Sequence, residues 1–138
     1  MVEADVVSVL IVDDQLPFRL AARAVLKRTE GFELVGEAAD GDEAVALAAE
    51  LRPSLILMDI NMPNLNGIEM IRLLRSEVGL SSVPIMAITA YGQNVAQEAV
   101  EAGANQATTK PIEFDSLIRG IRQLLAARRG EGQANDSA

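Results

Sequence analysis

The chain has 138 residues, 49% of them hydrophobic, and a formal net charge of -8, which fits one acidic domain with a real core. It contains no cysteine and no histidine, which excludes disulfides, thiolate nucleophiles and zinc-thiolate sites and removes the commonest general base and metal ligand. The acidic balance opposes direct nucleic-acid binding, and no apolar run approaches the roughly 20 residues that span a bilayer. The acidic start from Met1 to Asp5 lacks a basic leader, so a cytoplasmic protein without membrane contact is expected.

In chain order, Val6 to Val12 is nearly continuous in apolar residues and predicts a strand buried on both faces. Gln15 to Thr29 carries a helical pattern, with Gly31 as its expected C-terminal cap. Phe32 to Ala38 is a weaker run, suited to a strand nearer an edge. Asp40 and Glu43 form an N-terminal capping signature before an Ala-rich helix that stops ahead of Pro53. Ser54 to Met58 is another apolar strand. Asn66 and Glu69 repeat the capping signature before a helix carrying Ile71, Leu74 and Val78. Val83 to Ile88 is a strand, Gln93 to Ala102 a helix capped by Gly103, and Ala104 to Thr108 a second weak strand.

In the last helix Phe114, Leu117, Ile118, Ile121, Leu124 and Leu125 share one face, read as core packing. Gly130 to Ala138 is small and polar, read as a flexible tail or linker stub after a domain spanning residues 1–129. The alternation implies an α/β fold, (βα)5, with a doubly wound five-stranded parallel sheet and right-handed crossovers. Periodicity leaves the strand order open. Ligands of such a sheet bind beyond the carboxyl ends of its strands.

Those ends carry chemistry. The first expected strand ends at Asp13-Asp14, the third runs into Asp59, the fourth ends at Thr89, and the fifth is followed by Lys110. Three carboxylates brought together repel unless a cation is present. A hard divalent ion with oxygen ligands answers this, and Mg²⁺ suits a site with few carboxylates and several waters. A carboxylate beside Mg²⁺ and a lysine can act as a nucleophile toward phosphorus. Each residue also has a plainer reading. Asp13-Asp14 could cap the first helix, Asp59 could serve turn chemistry, Thr89 could cap the next turn, Lys110 could be solvated surface, and Asn66-Gly67 could be only a turn or cap. The joint placement favours the chemical reading.

The chain resembles the receiver domain of two-component response regulators over roughly Val6 to Ala127. The resemblance rests on four blocks: Val7 to Asp14, Leu55 to Gly67, Pro84 to Ala90, and Lys110-Pro111. It implies a flavodoxin-like receiver fold, with Asp59 as phosphoacceptor. Mg²⁺ would be held by the carboxylates of Asp14 and Asp59 and the backbone carbonyl of Asn61, and by Asp13 mainly through a bound water. Thr89 would shift toward the phosphoryl group, Lys110 would pair with it, and Tyr91 would turn inward as the switch aromatic. The Lys110-Pro111 bond is expected to be cis. The donor would be a histidine kinase or histidine phosphotransfer protein. Output would run through a downstream protein partner or homodimer on the face from about Gly92 to Leu125. Such a chain is not an enzyme beyond its own aspartyl phosphorylation and dephosphorylation.

Three rival readings fit the residues less well. A haloacid-dehalogenase-like phosphatase needs an acidic residue two positions after its nucleophile, where this chain has Asn61. A flavodoxin-like binding module needs a phosphate-cradling loop where Asp13-Asp14 would repel phosphate. A degenerate receiver used only for docking would have no need of the intact acidic set, Thr89 and Lys110.

Overall fold

The alternating apolar runs resolve into β1 (Val7–Val12), α1 (Leu16–Arg28), β2 (Phe32–Ala38), α2 (Gly41–Leu51) and β3 (Leu55–Asp59). There follow β4 (Asn61–Met62), β5 (Leu65–Asn66), α3 (Gly67–Ser76), β6 (Ile85–Thr89), α4 (Gln93–Ala102), β7 (Gln106–Thr109) and α5 (Phe114–Ser137). The structure is a computed structural model and describes residues 6–62, 65–77 and 79–137. Met1 to Asp5, Pro63, Asn64, Val78 and Ala138, some of which enter the sequence reading above, lie outside the described residues. The expected boundary at Arg129 falls within α5.

Five strands form one sheet in the order β2-β1-β3-β6-β7, all parallel. Their alternation of side chains divides the core into two layers. Val9, Ile11, Leu55, Leu57, Met86 and Ile88 face α1 and α5, packing on Ala22, Leu26, Leu117, Ile118, Ile121 and Leu124. Leu10, Val12, Ile56, Met58, Ile85 and Ala87 face α2, α3 and α4. The weaker apolar runs became the edge strands β2 and β7, whose side chains are mostly only half-buried. An edge strand meets a neighbour on one side only, so its sequence tolerates more polarity.

Both capping signatures operate. Asp40 accepts from the Glu43 amide at 2.9 Å, and Glu43 Oε1 accepts from the Ala39 amide at 2.8 Å. Asn66 Oδ1 accepts from the amides of Ile68 and Glu69 at the start of α3. Gly103 caps α4 at φ +130. Gly31 does not cap α1. That helix closes at Thr29, whose amide donates to Leu26, and Gly31 instead turns the chain into β2 at φ +88. The short antiparallel ribbon of β4 and β5 was not expected from the sequence; it pairs Asn61 with Asn66 and Met62 with Leu65 directly after β3. Among the described residues no helix is long and apolar enough to cross a membrane.

Candidate functional site

Parallel pairing of β3 with β1 and β6 sets three strand ends side by side, and pairing of β6 with β7 adds a fourth. Asp59 is the last residue of β3 and Thr89 the last of β6, while Asp13-Asp14 and Lys110 immediately follow β1 and β7. All five side chains therefore reach one rim. Asp13, Asp59 and Thr89 are buried there, with exposures of 0%, 2% and 0%. Asp13, Asp14 and Asp59 each offer a carboxylate oxygen within 4.8 Å of the others.

The ammonium of Lys110 donates to Asp59 Oδ2 at 3.0 Å, and its backbone amide donates to the Thr89 carbonyl at 2.8 Å. The Lys110-Pro111 bond is cis. Asp59 Oδ1 accepts from the amide of Asn61 at 2.8 Å. Asp13 Oδ1 accepts from the amide of Gln15 at 2.7 Å. Gln15, rather than either aspartate, is the N-cap of α1, and no side chain caps it. The capping alternative for Asp13-Asp14 is thereby set aside, although Asp13 does close a local turn.

Two oxygens have no internal partner: among the described residues Asp13 Oδ2 and Asp14 Oδ1 are buried and accept no hydrogen bond. A buried carboxylate oxygen left unpaired is costly. Burial pushes the Asp13 carboxyl up from 3.8 to about 6; the charge of Asp59 adds to the rise, while the Gln15 amide and Lys110 oppose it. Three clustered carboxylates facing one ammonium leave room for a further cation. An all-oxygen donor set with no nitrogen or sulfur ligand suits a hard divalent ion such as Mg²⁺.

On the other side of Asp59, the side-chain oxygen of Asn61 accepts from Thr89 Oγ1 and from the Ala90 amide, both at 2.7 Å. The Ala90 amide can only donate, which fixes the oxygen of Asn61 in that position. Thr89 Oγ1 in turn accepts from the Tyr91 amide at 3.0 Å, so the turn-capping reading of Thr89 holds alongside the chemical one. Tyr91 is 72% exposed. Gly67 holds the ribbon close: a Cβ there would overlap Cα and Cβ of Ile60, next to Asp59.

Residues of α1 that the sequence reading passed over also reach the rim. Arg19 donates to the carbonyl of Asp13 at 2.7 Å and to Glu37 at 3.2 Å, tying α1 to β1 and β2. Phe18 lies under Lys110, its ring centroid 5.4 Å from the ammonium. The scarcity of aromatics was the available signal for Phe18, since the chain has only three phenylalanines and one tyrosine.

A family model described as the response regulator receiver domain matches residues 9–122. The chain is 39% identical over 112 residues to a protein-glutamate methylesterase/protein-glutamine glutaminase of Thermotoga maritima, covering 81% of this chain and 33% of that protein. It is 39% identical over 115 residues to the transcriptional regulatory protein PdtaR of Mycobacterium tuberculosis, covering 82% of this chain and 54% of that one. It thus spans about a third to about half the length of these curated relatives. The solved chemotaxis response regulator CheY4 of Vibrio cholerae superposes with a TM-score of 0.78 at 30% identity, covering 86% of this chain and 98% of that chain.

Proposed function

The chain belongs to the response regulator receiver domain family, and from that premise we propose that it is a switch operated by phosphorylation of Asp59. The observation that carries this reading is the ammonium of Lys110 at 3.0 Å from Asp59 Oδ2, beside the two unpartnered oxygens of Asp13 and Asp14. In the transfer, an Asp59 carboxylate oxygen attacks phosphorus in line. The new O–P bond forms as the P–N bond of the donor's phosphohistidine breaks, and the imidazole leaves with the electron pair.

The carboxylates of Asp14 and Asp59 and the backbone carbonyl of Asn61 would hold Mg²⁺, with Asp13 acting mainly through a bound water. When bound, the ion supplies the positive charge that offsets the clustered carboxylates and the phosphoryl oxygens. Lys110 lets go of the free carboxylate and pairs with the phosphoryl group. Thr89 donates its hydroxyl to a phosphoryl oxygen, and Ala90, being small, leaves the approach open. As Thr89 moves, the exposed Tyr91 ring turns inward, and the surface formed by α4, β7 and α5 changes between Gly92 and Leu125. That face meets a downstream protein or a second copy.

The donor is a histidine kinase or histidine phosphotransfer protein. The acidic chain makes no direct nucleic-acid contact and catalyses only its own phosphorylation and dephosphorylation. Residues 1–129 form the receiver unit and 130–138 an extension from it. A phosphatase of the haloacid-dehalogenase type is disfavoured because Asn61 cannot serve as its general acid.

Intact-protein mass spectrometry after incubation with acetyl phosphate tests the reading. Wild type should gain one phosphoryl group only when Mg²⁺ is present, and Asp59→Asn should gain none. A wild-type chain that stays unmodified and also fails to bind beryllofluoride would overturn it.

A further inference from the structure

The chain carries three phenylalanines, and two of them lie together behind the lysine of the site. Phe18 comes from α1 and Phe114 opens α5; their rings stack with centroids 6.0 Å apart at 30°. The Lys110 ammonium lies 5.4 Å from the centroid of Phe18 and 3.0 Å from Asp59 Oδ2. It is held between a carboxylate and a ring face. A lysine has four rotatable side-chain bonds and loses much rotamer freedom when fixed. An aromatic face attracts a cation through its quadrupole, and an aliphatic side chain of similar size does not.

We propose that Phe18 is a positioning residue for phosphoryl transfer, holding the ammonium of Lys110 at Asp59 through its ring face. The inference rests on the reading of Asp59 as phosphoacceptor. Phe114 fixes the plane of the Phe18 ring by stacking on it, so α1 and α5 together set where the lysine stands. The Lys110 ammonium needs this support because its one hydrogen-bond partner among the described residues is the Asp59 carboxylate, which must be released when a phosphoryl group arrives. The ring keeps the ammonium close while that partner changes.

The experiment compares the full chain carrying Phe18→Leu, Phe18→Met or Phe18→Tyr with wild type. The initial rate of adduct formation is followed by intact mass spectrometry with acetyl phosphate and Mg²⁺, and thermal melts check that each variant is folded. Leucine and methionine keep an apolar side chain at the position; tyrosine keeps the ring face. The two aliphatic variants should react about three- to tenfold more slowly, the range a partly desolvated cation–π contact allows, and tyrosine should restore the wild-type rate. Equal slowing in all three variants would assign Phe18 to packing alone, and unchanged rates in all three would remove it from the chemistry; either overturns the proposal. Failure of wild type itself to form the adduct is a separate result. It would remove the phosphoacceptor reading and this inference with it.

Discussion

The side-chain oxygen of Asn61 accepts the Thr89 hydroxyl at 2.7 Å, and the same oxygen takes the Ala90 amide. Two donors at the rim are therefore already engaged by the chain itself. A phosphoryl oxygen that recruits Thr89 has to displace Asn61. Each neutral hydrogen bond of this kind is worth roughly 1 kcal/mol net. Asn61→Ala should thus tighten binding of beryllofluoride with Mg²⁺ by about three- to tenfold in isothermal titration calorimetry. Weaker binding would mean that Asn61 assists the phosphoryl group rather than competing with it. Substitutions at both Asn61 and Tyr91 should also change the dephosphorylation rate.

Asp13 makes stability depend on pH. Folding raises its pKa from 3.8 to about 6, chiefly through burial, so the folded chain binds that proton more tightly than the unfolded one. This contribution is fully present below about pH 3.8, is lost as pH rises toward about 6, and stays absent above that. The loss is on the order of 3 kcal/mol at most. Without Mg²⁺, Asp13→Asn should melt at a higher temperature than wild type at pH 7. Added millimolar Mg²⁺ should raise the wild-type melting temperature more at pH 7 than at pH 5, where a proton already occupies the site. Equal gains at both pH values would detach the ion from Asp13.

Gly67 supplies a packing test beside the site. A methyl group there would overlap the backbone and side chain of Ile60, and backbone cannot move aside cheaply. Gly67→Ala should cost about 1–3 kcal/mol in urea unfolding, the usual range for overpacking. It should also slow adduct formation, because Ile60 adjoins Asp59. Normal stability together with a normal rate would show that the ribbon can part without consequence.

Arg75 offers the opposite case, a stability determinant remote from the chemistry. It donates to the carbonyls of Gly103, Leu80 and Val83 and to Asn105 Oδ1, stitching α3 to the segments before β6 and β7. Arg75→Ala removes the donor to the Gly103 and Val83 carbonyls, while Asn105 Oδ1 still accepts from the Ile85 amide and the Leu80 carbonyl from the Val83 amide, and should cost about 2–4 kcal/mol. Arg75→Lys should recover little of that, since a single ammonium cannot match a planar fork of donors. The rate of adduct formation at 15–20 degrees below the melting point, a margin of roughly this size keeping the variants folded, should match wild type in both.

Much of this architecture is written locally. Strands buried on both faces need unbroken apolar runs, so β1, β3 and β6 stand out, and Asp40 and Asn66 announce their helices because a cap is a matter of three or four neighbouring residues. The rim was legible for a related reason: Asp13, Asp59, Thr89 and Lys110 each sit at the end of a run, and the sheet rule converts that position into proximity. What escaped depends on contacts between distant segments. Nothing near Phe18 marks it as the neighbour of Lys110, and Arg75 reads as an ordinary surface charge until Gly103 is folded against it. The β4–β5 ribbon is too short to show a period. The role of Gly31 is ambiguous in sequence because a glycine near a helix end serves equally to stop the helix or to turn the chain beyond it.

The position of β7 at the edge of the sheet bears on how the molecule comes into being. Asp59 and Lys110 are 51 residues apart, and the lysine arrives only when the last strand closes against β6. A chain emerging during synthesis can pair β1 with β3 and so assemble its three aspartates before it owns the ammonium that answers them. Closure of β7 completes the sheet and delivers Lys110 in one event. On the proposed reading of Asp59 as phosphoacceptor, competence to accept a phosphoryl group comes with the last strand.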